Sequence, residues 1–98
     1  MKLSKFEQIG ITKEKIPVYS GTYYFLETHG IPLDLVISMH YEKNIIPSWI
    51  HLYVDMLISG IKPNISISKI EAAITEGHSQ KLANEVIFKL KQFKVEKI

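Results

Sequence analysis

Four histidines, ten acids and twelve lysines are the residues that could do chemistry in this 98-residue chain; it contains neither cysteine nor arginine. Without cysteine there is no disulfide framework, no thiolate metal site and no cysteine nucleophile. His29, His40 and His51 recur at intervals of 11, which would place them on one face of a continuous helix. Gly30, Pro32 and Pro47 interrupt that run, His78 stands apart, and no H-E-x-x-H pair occurs, so no metal ion is expected. His40 reads as a residue at the edge of the core and His51 as part of a polar stripe. Asp55 is the acid with the widest scope, because burial would make it a base with a raised pKa. Its place in the series Ser48, His51, Asp55, Ser59 instead assigns it to a solvent-facing strip, since spacings of 3, 4 and 4 follow the helical period. Paired carboxylates, a Ser-His-Asp spacing and a glycine-rich phosphate loop are all missing. The chain is expected not to be an enzyme and to use no cofactor.

The cations raise the question of nucleic acid. All twelve are lysines, so the bidentate fork that reads phosphate and guanine is never used. The net charge of +2 is uneven: the last eighteen residues carry five Lys against two Glu, while the remainder carries seven Lys against eight acids. A lysine-rich last helix could face an acidic partner, but such runs are ordinarily solvated helix faces favoured near a C-terminus. Tyr19, Tyr23, Tyr24 and Phe25 could stack bases, yet no basic residue lies between Lys15 and Lys43, and core packing explains them better. A helix-turn-helix around Gly60 would read DNA with a helix holding one Lys against Glu71 and Glu76, a poor surface for phosphate. Nucleic acid is therefore not the expected partner.

These side chains must be positioned by elements that proline and glycine punctuate. Ser4 reads as the cap of a short turn through Glu7 and Gln8 that ends at Gly10. Ile16-Pro17-Val18-Tyr19 reads as an extended piece or edge strand. Ser20 suits the N-cap of a helix from Thr22 to His29, with Gly30 at its C-terminal stop. A second helix is expected from Pro32 to about Lys43, with Leu33, Val36, Ile37 and His40 inward and Asn44 as its end. A third runs from Pro47 to Ser59-Gly60; apolar around most of its circumference, it is expected at the centre of the fold. After a loop at Ile61-Lys62-Pro63-Asn64, Ser68 and Glu71 form a capping box for a fourth helix, Lys69 to Glu76, which stops at Gly77. Ser79 caps a last helix from Gln80 to about Phe93, with Leu82, Val86, Leu90 and Phe93 inward.

The fold class that follows is all-α: one domain over residues 1–98, a compact bundle of four to five short helices with a short extended segment near the N-terminus. The most apolar stretch, residues 45–61, is 17 residues long and contains Pro47, His51, Asp55 and Ser59, too short and too polar to cross a membrane. The N-terminus has no apolar run behind its basic start, so no secretory signal is read there. A soluble cytoplasmic protein is expected. Ile45, Ile46, Ile61, Ile65 and Ile67 fall in the two expected loops around the third helix. They either cap a small core or form an apolar patch that binds something.

Three stretches carry a family likeness. Residues 22–34 form an aromatic/leucine–Glu–Gly run, TYYFLETHGIPLD; residues 52–60, LYVDMLISG, form a leucine–tyrosine helix ending in glycine; residues 66–74, SISKIEAAI, form a capped helix start. In this order, over about residues 16–93, the chain resembles the tail assembly chaperones of bacteriophages and prophages. It departs from their pattern at Asp55-Met56-Leu57, where a Gly-Leu or Ala-Gly-Leu follows the tyrosine in the family. The resemblance implies a non-enzymatic chaperone that binds the tape measure protein and tail tube subunits and keeps them soluble until the tail assembles. Ile45, Ile46, Trp49, Ile61 and Ile65 are the residues expected to contact a long amphipathic helix of such a partner. A homo-oligomer, with a second copy as the partner, is a further expectation. The competing expectation is a small phage or mobile-element regulator that binds and inhibits a host protein.

Overall fold

The computed structural model describes residues 3–93, and over them the all-α expectation is overturned. Five helices pack with a three-stranded sheet in the order β1-β2-β3, so the fold is mixed α/β. Strand β1 is Glu7–Ile11, β2 is Pro17–Ser20 and β3 is the two-residue Ile46–Pro47. The expected turn from Ser4 to Gly10 is thus a strand. Residues 12–16 close a hairpin: Thr12 N–H donates to Ile16 O (3.0 Å), Lys15 N–H to Thr12 O (2.9 Å), and the Thr12 hydroxyl accepts from Ile16 N–H (3.1 Å). Lys15 takes the left-handed conformation that reverses the chain, with φ 65°.

β2 is extended, as its Pro-marked sequence predicts, but it is the central strand and not an edge. It pairs antiparallel with β1 and parallel with β3, where Val18 faces Ile46 and Tyr19 faces Pro47. Pro17 is tolerated because it stands at the first position of the strand. The register slips between Gln8 and Gly10, a bulge on the open side of the sheet.

Helices α1 (Thr22–His29), α2 (Leu33–Glu42), α3 (Trp49–Ile58), α4 (Pro63–Gly77) and α5 (Gln80–Gln92) follow. Two of the expected helix starts and one expected cap are corrected; the Thr22–His29 bounds of α1 stand. The residue before α1 is Gly21 at φ 84°, and the Ser20 hydroxyl caps nothing; it donates to Lys5 O at 2.6 Å. α3 begins after Ser48, whose Oγ accepts from His51 N–H, because Pro47 is held in β3. α4 begins at Pro63, so Ser68 is an exposed residue inside the helix and the capping box does not form. Ile65 and Ile67 are accordingly helical rather than in a loop. Proline at the first helical position has its φ already set and no N–H to leave unpaired, and the earlier start buries Ser66 beside Ile70 and Ile74. The Gly30 stop and the Ser79 cap, whose Oγ accepts from Leu82 N–H at 3.1 Å, stand where the sequence puts them.

The core is formed by Ile37 of α2, Leu52 and Met56 of α3, Ile70 and Ile74 of α4, and Ala83, Val86 and Leu90 of α5. α4 is the element most extensively packed, lying against α2, α3 and α5. It takes the central place expected of α3, which leaves Ile50 on the surface. A Cβ at Gly77 would collide with the backbone of Asp34, so glycine lets the end of α4 approach the start of α2. No described helix is long and apolar enough to cross a membrane.

Candidate binding surface

Residues 4–6 form a strap across α3 and the start of α1. Ser4 donates both its N–H and its hydroxyl to Asp55 Oδ1, each at 3.0 Å. Asp55 is 1 % exposed, so the solvent-facing strip drawn through it from spacing alone is corrected: Ser48, His51 and Ser59 reach the surface or near it, while Asp55 is covered by the strap. Among the described residues no donor reaches Asp55 Oδ2. Burial raises the Asp55 pKa; the two Ser4 hydrogen bonds and the nearby His51 pull the other way. The strap then runs over Gly21, where a Cβ would collide with the backbone of Lys5 and Phe6, and delivers Phe6 onto the protein.

Phe6 stacks on Tyr19 (4.8 Å between centroids) and meets Phe25 edge-on (4.9 Å). These rings, with Met39, His40 and Lys43, line a cavity of about 290 Å³ between the hairpin and the α1–α2 pair. His40, 4 % exposed, forms part of its wall. Its Nδ1 lies 2.9 Å from Val36 O and its Nε2 lies 3.2 Å from the Thr22 hydroxyl. A carbonyl can only accept, so Nδ1 carries the proton and Nε2 accepts from Thr22 in the neutral ring. Burial depresses the His40 pKa, opposed by the Val36 hydrogen bond. His40 is thus the core-edge residue its spacing suggests, and both of its nitrogens are engaged.

A second concavity is an open groove of about 560 Å³ walled by β3, the start of α3, and α5. Ile46, Trp49, Ile50 and Leu82 supply its apolar surface, over the buried Val86 and Leu90; Glu14, Glu85 and Lys89 are among its charged members. Tyr41 also lines it, with its hydroxyl pKa pushed up to about 12 by burial and by the Glu85 charge. A third, similarly open hollow of about 620 Å³ lies among α1, α2, α3 and α4 and includes Ile61, Asp34, Lys69 and Glu76.

The five residues expected to meet a partner are thereby divided. Ile46 and Trp49 share the groove. Ile45 lines the aromatic cavity, Ile61 lines the third hollow, and Ile65 stands on α4, 43 % exposed. Phe6 and Ile50 carry no local signal of their place: Phe6 is positioned by a strap that Asp55 holds from 51 residues away, and Ile50 lies on a helix whose apolar circumference predicts burial. Among the described residues no three His, Asp or Glu side chains come together as metal ligands would. The lysine-rich end of α5 falls partly outside the described residues: Lys94 and Lys97 are beyond them, while Lys81, Lys89 and Lys91 are exposed. Comparison with protein-family models, with curated proteins and with solved structures returned no match.

Proposed function

We propose that the protein is a non-enzymatic, cytoplasmic binding module that holds an amphipathic helix of a long helical partner, in the manner of a phage tail assembly chaperone. The observation that supports this reading is the open groove floored by Ile46, Trp49, Ile50 and Leu82. A helix laid there would bury its i, i+4, i+7 stripe against those side chains. Each Å² of apolar surface so covered contributes roughly 25 cal/mol before the costs of association. Trp49 is the natural anchor, because indole rings in central pockets dominate such interfaces. Glu14, Glu85 and Lys89 would select the register by pairing with charges that flank the stripe. A partner kept in this way is shielded from self-association until a stronger assembly contact replaces the groove.

The test is co-expression with a tagged phage tape measure protein, the class of long helical partner that this reading names. A tagged partner should retain the wild-type protein at fixed stoichiometry and stay soluble. The double variant Ile46→Lys, Trp49→Glu should lose retention by about 30-fold or more, the scale of a hot spot worth 2 kcal/mol, with unchanged far-UV circular dichroism. Ile65→Lys, on the exposed side of α4, should retain full binding. Retention by the double variant would refute the groove as the contact.

A further inference from the structure

The groove leaves the aromatic cavity unexplained. Among the described residues its lining is apolar apart from His40, Lys43 and the Tyr19 hydroxyl. The two nitrogens of His40 are spent on Val36 and Thr22, so the imidazole offers the cavity carbon and no free donor. Among the described residues Lys43 is the only formally charged side chain of the lining, and no Asp or Glu belongs to it. Lys43 follows the last residue of α2 and is exposed, which places an ammonium at the rim of a partly open apolar cavity. The volume of about 290 Å³ corresponds to roughly ten waters at about 30 Å³ each. An α-helix, about 10 Å across with its side chains, does not fit such a space, whereas one ring or one short acyl chain does.

We infer that this cavity is a ligand site for a small free carboxylate with an apolar body. The body lies against Phe6, Tyr19, Phe25 and Met39, and the carboxylate lies at the Lys43 ammonium. Burial of the chain supplies most of the affinity, and the single cation supplies the sign of the charge that is accepted. Phe6 is the strap's contribution: held by the Ser4–Asp55 and Ser20–Lys5 hydrogen bonds, it covers the cavity while remaining 40 % exposed. This site is separate from the helix groove, because the two share no lining residue.

Titration of the intact protein with octanoate, followed by methyl and ring NMR, tests the inference. Octanoate should shift Met39 and Phe25 while leaving the Trp49 indole unmoved, since Trp49 lines the other groove. Octanol and octylammonium should bind at least fivefold more weakly. Lys43→Gln, a change at an exposed position, should reduce octanoate affinity by a similar factor and leave octanol unaffected. Equal binding of the three amphiphiles, an unchanged octanoate affinity in Lys43→Gln, or a response at Trp49 in place of Met39 would overturn it. The amphiphile comparison needs no variant, so it decides the matter even where a substitution disturbs folding.

Discussion

At the residue scale, Asp55 and His40 are buried groups with opposite consequences for pH. The Asp55 carboxyl has a raised pKa in the folded state. Between its ordinary value and the raised one, the folded protein keeps a proton that the unfolded chain releases. Stability from this group is therefore greatest at low pH and falls as pH rises through that window. His40 is the reverse: its folded pKa is lowered, so the unfolded chain takes up a proton first as pH falls below about 6.5. Stability from His40 is full above that value and is lost on acidification. Urea midpoints measured from pH 8 to pH 3 should separate the two. Asp55→Asn, which keeps an acceptor for Ser4, should lose the component that gains with acid; His40→Gln should lose the one that falls with acid. Asp55→Ala strands both Ser4 donors and should cost about 1–3 kcal/mol, read by chemical denaturation at pH 7.

At the element scale, the starts of the helices distinguish local chemistry from packing. Ser79 is a working cap, and Ser79→Ala should destabilise by about 1 kcal/mol. Ser68 matches the capping-box pattern equally well in sequence, but it lies within α4, exposed. Ser68→Ala should change stability by less than about 0.5 kcal/mol, and equal losses at the two serines would contradict the Pro63 start. Gly21 joins β2 to α1 at a positive φ and against the strap. Gly21→Ala meets both a left-handed backbone cost of about 1–2 kcal/mol and a collision with Lys5 and Phe6. It should therefore lose more than about 2 kcal/mol and release Phe6, visible as lost ring-current shifts at Tyr19. The Glu7–Ile11 strand has a sequence signal, since Ile9 and Ile11 alternate with Gln8, Gly10 and Thr12 before a Lys-Glu-Lys turn. Gly10 read as a stop hid it: in a strand that position needs only room, and nothing lies within 4 Å of a Cβ there.

At the scale of the whole molecule, a three-stranded sheet with an exposed β1 joins, through β3 and α2, a helical body whose most packed member is α4. The two proposed sites fall on either side of the sheet's attachment: the aromatic cavity under the strap, the groove beyond β3. β3 is what joins them, because Ile45 lines the cavity and the adjacent Ile46 lines the groove. Ile45 also turns inward from α2, its N–H donating to His40 O at 3.0 Å. A polar substitution at Ile46 should thus impair helix binding with little effect on octanoate, and one at Ile45 the reverse, when both are measured on the same preparations. Coupled losses at both sites from either single change would show that the cavity and groove act as one surface.

The sequence by itself determined the placement of α1, α2 and α5, the Gly30 and Ser79 boundaries, and the inward faces of α2 and α5, because periodicity, caps and stops act over a few neighbouring residues. Only the tertiary structure decided that Ser4 would bond Asp55 across 51 positions, that β2 would be central, and that α4 would begin at Pro63. Those outcomes depend on which distant surfaces meet. A carboxylate at helical spacing from three polar residues faces water only until another segment of the chain is laid across it, and here residues 4–6 are that segment.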